Sequence, residues 1–557
     1  MAVSRTLAAA FRVRNDDSDD LALQHLKDGN TALPPAVPAP PYRHAAPSGP
    51  WPWMDFDVET SSSTTAIDPS WRGYPQNQFG NWTPDQVKRS KMLEKCLLNR
   101  SSTIYWMDVR SDGSFATPDL GGLGSTMVVG TENEDGFWDV LHGQQRPDNI
   151  RVRSIFVDDL TSPVLRMLGT RYNIEPFFFT SSINWIPSRY QEAPIHKQGD
   201  HITVTLPFVR TLRKISRSSR SAPTTPIPLS QSTNSRINTQ AAFPMSDGNM
   251  LFIDLLAIHM VRGVKTSTII SYHPESTWCR TSAQRLHSLM QLVGGSVYWQ
   301  KIFDKSQDPT FVFLAILWYA LYAWDESFEL LYSHVSELES KVLQTNNIEL
   351  TRELHILQAH LLHYQALLHN FELSVKFLAK THNPAMDSDE FSADQREESQ
   401  DLMKRESENL LSEMDRLEKR RAMLSNRLKN LMDLAFATVN IDDNSQTRKL
   451  TEATVRDSAA MKQISYLTMV FLPASFLASV FGMNVAEFNS GSLQSLARYI
   501  EVTISLTLLT IYIVVTLQTH SSFHDKNAPF LRRAVWPALT CWKMMYRPRE
   551  KAEKALV

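Results

Sequence analysis

Two uncharged apolar runs near the C-terminus dominate the hydropathy pattern of the chain. Residues 464–481 hold no ionisable side chain except the phenol of Tyr466, and 502–517 are equally free of charge, with Tyr499 and Ile500 extending the second run upstream. Each run approaches the roughly 20 residues that a helix needs to cross the hydrocarbon core, so the pattern predicts a hairpin of two membrane-spanning helices over 461–520. The flanks set its orientation. Arg448, Lys449, Arg456 and Lys462 precede the first run, and Lys526, Arg532, Arg533, Lys543, Arg547 and Arg549 follow the second, while the link carries only Glu487, Arg498 and Glu501. Positive charge stays inside, which predicts a multi-pass membrane protein with both ends, including a basic tail over 521–557, on the cytoplasmic or matrix side.

The first run is itself patterned. Ser465, Thr468, Leu472, Ser475, Ser479 and Gly482 recur at alternating steps of three and four, which places them on one helical stripe that extends inward through Met461 and Ser458. Small and hydroxyl-bearing residues in such a stripe serve either of two purposes. They let helix backbones approach closely and hydrogen-bond across the seam, or they line an aqueous pathway built from several copies of the helix, with Leu472 as an apolar constriction in mid-membrane.

At the outer end of the stripe stands Gly482-Met483-Asn484, followed by a short link and the second span. With Met461-Lys462 at the inner end, Phe471-Leu472-Pro473 in the middle and Phe481 before the tripeptide, this arrangement resembles the CorA family of divalent-cation channels. The family's signature is Gly-Met-Asn at the outer end of the first of two C-terminal spans. The resemblance implies a homopentamer around the first span, with Asn484 as the selective residue and Gly482 and Met483 shaping the turn that presents it. Family members from bacteria carry an asparagine near the inner mouth where this chain has Ser458, a departure at that site. The resemblance also implies divalent ions bridging acids between neighbouring cytosolic domains, without assigning residues here.

The chemistry of the motif agrees with that implication. Magnesium demands octahedral oxygen coordination and sheds water reluctantly, so a pathway for it is easier to build by hydrogen-bonding its hydration shell than by stripping it. A ring of Asn484 carbonyl oxygens offers neutral acceptors to those waters, so Asn484 is the expected metal contact, made through a hydrated ion. Glu487, near the outer mouth, attracts cations there or is an ordinary solvated charge.

Upstream, the periodicity is that of packed helices. Leu354, Leu357, Leu361, Tyr364, Leu368, Phe371, Val375 and Leu378 alternate in steps of three and four, as do Leu410, Met414, Leu417, Arg421, Leu424, Leu428, Leu431 and Ala435. A polar interruption at 381–394, with Pro384, separates the two. The second helix has no stop signal before the membrane; continued over 395–481 it would be roughly 130 Å long. A helical stalk over 301–460 is therefore expected. Residues 311–324 are apolar enough to suggest a third span but too short for one, and read as a buried helix.

From 81 to 275 the pattern changes to short runs rich in β-branched residues, at 126–129, 155–157, 201–209, 250–258 and 266–272, interleaved with helical stretches such as 84–99. These predict an α/β cytosolic domain over 56–300, followed by the long coiled-coil stalk and two C-terminal transmembrane helices. A Pro-rich start, 1–55, and a Ser/Arg-rich loop near 213–239 lack the apolar content to pack and are expected to be disordered. Met1 to Arg14 are basic and mildly amphipathic, but Asp16, Asp17, Asp19 and Asp20 follow at once, against a mitochondrial transit peptide.

Composition narrows the function classes. A net charge of −2 argues against nucleic acid as a partner. Three scattered cysteines, Cys96, Cys279 and Cys541, indicate neither a disulfide framework nor a cysteine zinc site. His355, His360, His363 and His369 read as solvated helix-face histidines, with a zinc contact at His360 and His363 as the sharper alternative. No phosphate-cradling loop, nucleophile elbow or metalloprotease helix occurs, so the chain reads as a non-enzyme without cofactor. The expected partners are divalent cations, the bilayer and further copies of itself. The expected function is magnesium uptake driven by membrane potential; zinc or another transition metal is the alternative cargo, and a non-conducting membrane-anchored coiled-coil adaptor is the alternative from another class.

Overall fold

The computed structural model describes residues 46–49, 68–94, 101–118, 125–143, 146–212, 237–273, 281–344, 348–481, 495–517 and 534–535. Two units divide the chain, Met1–Ala437 and Thr438–Val557. All but four residues of the Pro-rich start, and most of the Ser/Arg-rich loop, lie outside the described residues.

In the first unit, α1 (Pro84–Ser90) begins where the Thr83 side chain accepts the Gln86 N–H and Pro84 supplies a favourable first residue. The sequence predicts this helix to residue 99. It stops earlier because Lys91 turns left-handed (φ 54°) and returns its N–H to the Lys88 carbonyl. There follow β1 (Ser102–Arg110), β2 (Phe115–Ala116), β3 (Thr126–Val129), α2 (Glu134–Gly143), β4 (Ile150–Asp158), α3 (Ser162–Tyr172) and α4 (Phe177–Ile183). Then come β5 (Ser188–Ile195), β6 (Gly199–Leu212), β7 (Phe243–Pro244), β8 (Met250–Gly263) and β9 (Ser267–His273). These strands form one sheet in the order β2-β1-β4-β9-β8-β6-β5, with β3 on β1 and β7 on β8. Every pairing is antiparallel except β4 with β9.

The strand pattern in the sequence locates β3 and the inner parts of β4, β6, β8 and β9. It misses β1 and β5, and the two-residue strands β2 and β7. Asp108 interrupts the apolar run of β1, and Arg189, Gln191, Glu192 and Pro194 make β5 read as a loop. What makes β5 a strand is its partner, since residues 188–192 pair in register with 201–205 of β6.

Helices cover the sheet. α5 (Ala283–Gly294) and α6 (Val297–Lys305) lead into α7 (Thr310–Gln344), α8 (Ile348–Lys380), a short turn at Pro384–Asp387, and α9 (Ala393–Phe481). The apolar run 311–324 is the first half of α7. It packs on β6, with Tyr319 edge-on to Phe208 at 5.9 Å. By length and composition α7 qualifies as a membrane span, but 72% of its apolar window is buried, as expected of a core helix.

α7, α8 and the first part of α9 pack together through their heptad faces. Leu354, Leu357, Leu361, Leu410, Leu417, Leu424 and Leu428 are all fully enclosed, and polar contacts frame them. Gln358 of α8 donates to Ser425 of α9 at 3.2 Å, and Asp325 of α7 accepts from Arg416 and Arg420 at 3.1 and 3.2 Å. Arg421, the charged member of the seam, is buried yet paired with Glu418 one turn earlier at 2.7 Å. That pairing is what lets a guanidinium sit in an apolar seam.

The second unit contains the remainder of α9, from 438 to 481, and α10 (Leu496–Leu517). α10 is long and apolar enough to cross a membrane, and none of its apolar window is buried. An exposed apolar surface of this extent suits a nonaqueous surrounding.

Candidate ion pathway

The described part of the pathway stripe lies on α9. Ser458, Met461, Ser465, Thr468, Leu472, Ser475 and Ser479 are all exposed. Met461 is 67% and Leu472 61% exposed, although both are large apolar side chains. Gly482, Met483, Asn484 and Glu487 lie outside the described residues.

The hairpin uses a different face of the helix. Pro473 and Leu477 are buried and Met469 is half-buried, a row with i, i+4 spacing, and Tyr499 of α10 donates to the Ala474 carbonyl at 3.4 Å. At about 100° per residue this row is centred roughly a third of a turn away from the hydroxyl stripe. Among the described residues, the hydrogen bond between the two helices and the buried row both fall off the hydroxyl stripe. Pro473 has no N–H to give to the preceding turn, a break that membrane helices tolerate where neighbouring groups compensate.

Four of the stripe hydroxyls spend their protons on their own helix. Ser465 donates to the Met461 carbonyl at 2.9 Å, Thr468 to Ile464 at 2.7 Å, Ser475 to Leu472 at 3.0 Å and Ser479 to Ser475 at 3.0 Å. A hydroxyl has one proton and two lone pairs, so the outward-facing oxygens remain as acceptors. Waters held by a divalent cation are strong donors, and a row of neutral acceptors matches them in sign without holding the ion itself.

The histidines on α8 divide. His355 and His369 are exposed, as expected of solvated positions, and His363 is half-buried. His360 departs from that expectation: it is 3% exposed, packed on Phe243 at 5.1 Å and beside Tyr364, whose hydroxyl is 3.3 Å from Nδ1. Burial, with the charge of neighbouring His363 adding to it, pushes the His360 imidazole down to about 4. Periodicity did not reveal this, because the partner Phe243 comes from a distant strand. Among the described residues no group of three or more His, Cys, Asp or Glu side chains is placed to hold a metal ion.

A fully enclosed ion pair in the first unit was also hidden from the sequence. Arg262 of β8 faces Asp200 of β6, both side chains fully enclosed, and only the sheet register brings them together.

Comparison with known proteins finds a family that part of this chain resembles. Residues 284–518, from α5 through α10, match the family described as CorA-like Mg2+ transporter protein. No curated protein sequence matches the chain. Among solved structures, the complete CorA magnesium transporter from Methanocaldococcus jannaschii is similar at 14% identity, over 74% of this chain and 96% of its own, with a TM-score of 0.35. The soluble domain of the same transporter is 14% identical over 52% of this chain and 90% of its own, with a TM-score of 0.31. The full-length CmaX protein is 11% identical over 75% and 98%, with a TM-score of 0.33. With all three TM-scores below 0.5, the assignment rests on the sequence match, whose span includes the heptad helices, the hydroxyl stripe and both apolar segments. By that match, residues 284–518 are similar to the CorA-like Mg2+ transporter family.

Proposed function

We propose that the chain is one subunit of a homopentameric channel that admits hydrated magnesium down the membrane potential. The observation that carries this reading is the stripe of outward hydroxyl oxygens on α9. It lies off the buried row of α9 and leads directly to Gly482-Met483-Asn484. One hairpin cannot enclose a pathway, so the stripes of several copies must face a common axis. Ser458 and Met461 lie at the inner mouth, Leu472 narrows the middle, and a ring of Asn484 carbonyls selects the hydrated ion at the outer end. Glu487 raises the cation concentration beside that ring. With both termini inside, an inside-negative potential draws a doubly charged ion inward with about 4.6 kcal/mol per 100 mV, twice the single-charge value.

The test is magnesium flux into liposomes holding the purified protein under an inside-negative potential, with the parent compared with Asn484→Ala and zinc and cobalt run in parallel. Magnesium flux that loses magnitude or selectivity in the variant supports the reading. Flux of zinc in preference to magnesium would change the cargo and keep the pathway. A folded, inserted oligomer that moves none of the three ions would leave a membrane-anchored helical adaptor in its place.

A further inference from the structure

One end of the sheet carries an excess of positive charge. Asp108 of β1, Arg153 of β4 and Thr268 of β9 stand side by side in register, so their side chains share one face. Arg153 is held by Asp108 through two parallel bonds, Nε to Oδ1 at 2.8 Å and Nη2 to Oδ2 at 2.7 Å. That match is what a buried guanidinium needs. Arg146, in the loop between α2 and β4, reaches the same row: Nη1 donates to the Ser267 carbonyl at 2.7 Å and Nη2 to the Thr268 hydroxyl at 2.9 Å.

A third arginine closes the cluster. Arg171, in the last turn of α3, donates from Nε to the Leu141 carbonyl of α2 at 2.9 Å, and its guanidinium lies 5.7 Å from the centre of the Tyr172 ring. Among the described residues neither Arg146 nor Arg171 forms an ion pair; the acceptors they meet are neutral. Two other arginines of the sheet are matched by acids, Arg262 by Asp200 and Arg210 by Asp254 at 3.5 Å. Arg151 has a different compensation, since it donates to the Phe303 and Ser306 carbonyls at the end of α6, where the helix dipole is negative. Arg146 is half-buried and Arg171 exposed, so the unmatched charge stands at an accessible edge. Burial, with Arg153 and Arg171 adding to it, holds the Arg146 guanidinium below its ordinary value, although Tyr172 and Asp108 act the other way.

We infer that Arg146 and Arg171 form a binding site for the phosphate group of a small molecule, at the edge of the sheet between the α2–β4 loop and α3. A guanidinium carries more N–H donors than these contacts use, in a planar fork that fits phosphate oxygens. A phosphate monoester brings about −1.5 to −2 charges at pH 7 and three acceptor oxygens, which matches a pair of arginines. A carboxylate brings a single charge and would leave one guanidinium uncompensated. The bonds to Ser267 and Thr268 already fix the Arg146 fork, so little side-chain freedom remains to be lost on binding. Asp108 keeps Arg153 occupied, and Arg153 therefore adds a wall to the site rather than a further free cation. The site lies wholly within the first unit and does not depend on the channel reading above.

The experiment is thermal unfolding of the full chain in detergent, with EDTA present to remove divalent ions. Inorganic phosphate and ADP are titrated separately, each against sodium chloride at equal ionic strength. Both phosphate compounds are expected to raise the midpoint beyond the chloride control. ADP acting at lower concentration than inorganic phosphate identifies a nucleotide as the ligand, and the reverse order identifies free phosphate; either upholds the site. Arg171→Gln, at an exposed position, is expected to weaken the apparent affinity about tenfold, the scale of one charge-assisted hydrogen bond. Arg146→Lys keeps the charge but loses the fork, and is expected to weaken binding as well. Midpoints without ligand show that each variant still folds. No response beyond chloride in the parent, or an affinity unchanged in both variants, would overturn the site.

Discussion

Arg262 and Asp200 form a two-point ion pair between neighbouring strands β8 and β6, with neither side chain exposed to solvent. The guanidinium continues past the carboxylate to the end of α8, where it donates to the His382 carbonyl at 2.9 Å and lies 3.3 Å from the Thr310 hydroxyl at the start of α7. One side chain thus ties the sheet to two helices. Gly199 sits beside it in left-handed backbone (φ 145°), where a Cβ would stand 1.9 Å from the Arg262 carbonyl oxygen. The strand crossing can close only because residue 199 has no side chain.

Breaking this pair from one side strands a buried charge. Asp200→Ala is expected to cost about 3–5 kcal/mol of stability, while the double change Asp200→Leu with Arg262→Met is expected to recover a large part of it. Denaturant unfolding of the full chain in detergent, followed by tryptophan fluorescence, checks this. Equal losses in the single and double variants would show that the bonds from Arg262 to the backbone outweigh the ion pair.

The buried histidine on α8 sets an acid limit. His360 titrates near 4 in the folded chain because burial disfavours its charge, whereas an unfolded histidine titrates near 6.5. Between those values the unfolded chain binds the extra proton, so stability is complete above about pH 6.5 and falls as pH drops toward about 4. The loss attributable to His360 approaches roughly 3 kcal/mol at the lower end. Unfolding midpoints measured across that range should fall less steeply for His360→Gln than for the parent. His334, also pushed down to about 4 by burial, leaves a residual slope in the variant.

The packing of α8 and α9 gives neighbouring positions opposite sensitivities. Leu424 is fully enclosed and Met423 is 46% exposed. Leu424→Ala is expected to destabilise by about 2–5 kcal/mol and Met423→Ala by about 0.5 kcal/mol or less. Comparable losses at the two positions, measured by thermal unfolding of the full chain, would mean that the enclosed face does not carry the packing.

The pathway stripe and the hairpin face are separable by thiol chemistry. On a background with Cys96, Cys279 and Cys541 changed to serine, Ser475→Cys is expected to react with a charged, water-soluble thiol reagent and to lose ion flux on modification. Leu477→Cys, on the buried row, is expected to stay unreactive and conducting. Reaction at both positions, or at Leu477→Cys alone, would place water on the wrong face of α9.

Periodicity located the heptad positions 354–378 and 410–435, the apolar segment of α10 and the inner parts of β4, β6, β8 and β9. In each case a run of like residues repeats at the period of the element that buries it, and that information is local. Local chemistry likewise marks the hydroxyl stripe, because a helix keeps residues three and four apart on one face whatever surrounds it. Contacts between distant parts of the chain were not legible. β5 is a strand because β6 pairs with it, against its own polar composition. Arg262 meets Asp200, and Phe243 meets His360, only through the order of the sheet and the docking of helices on it. The sequence alone determined the two heptad helices, which segments are apolar enough for a membrane and which residues share the stripe. Tertiary structure decided that the buried row of this helix lies off the stripe, that His360 is enclosed and that the β5–β6 hairpin grips the turn before α9. Those facts depend on which surfaces face each other once the chain has closed, and no local period encodes that.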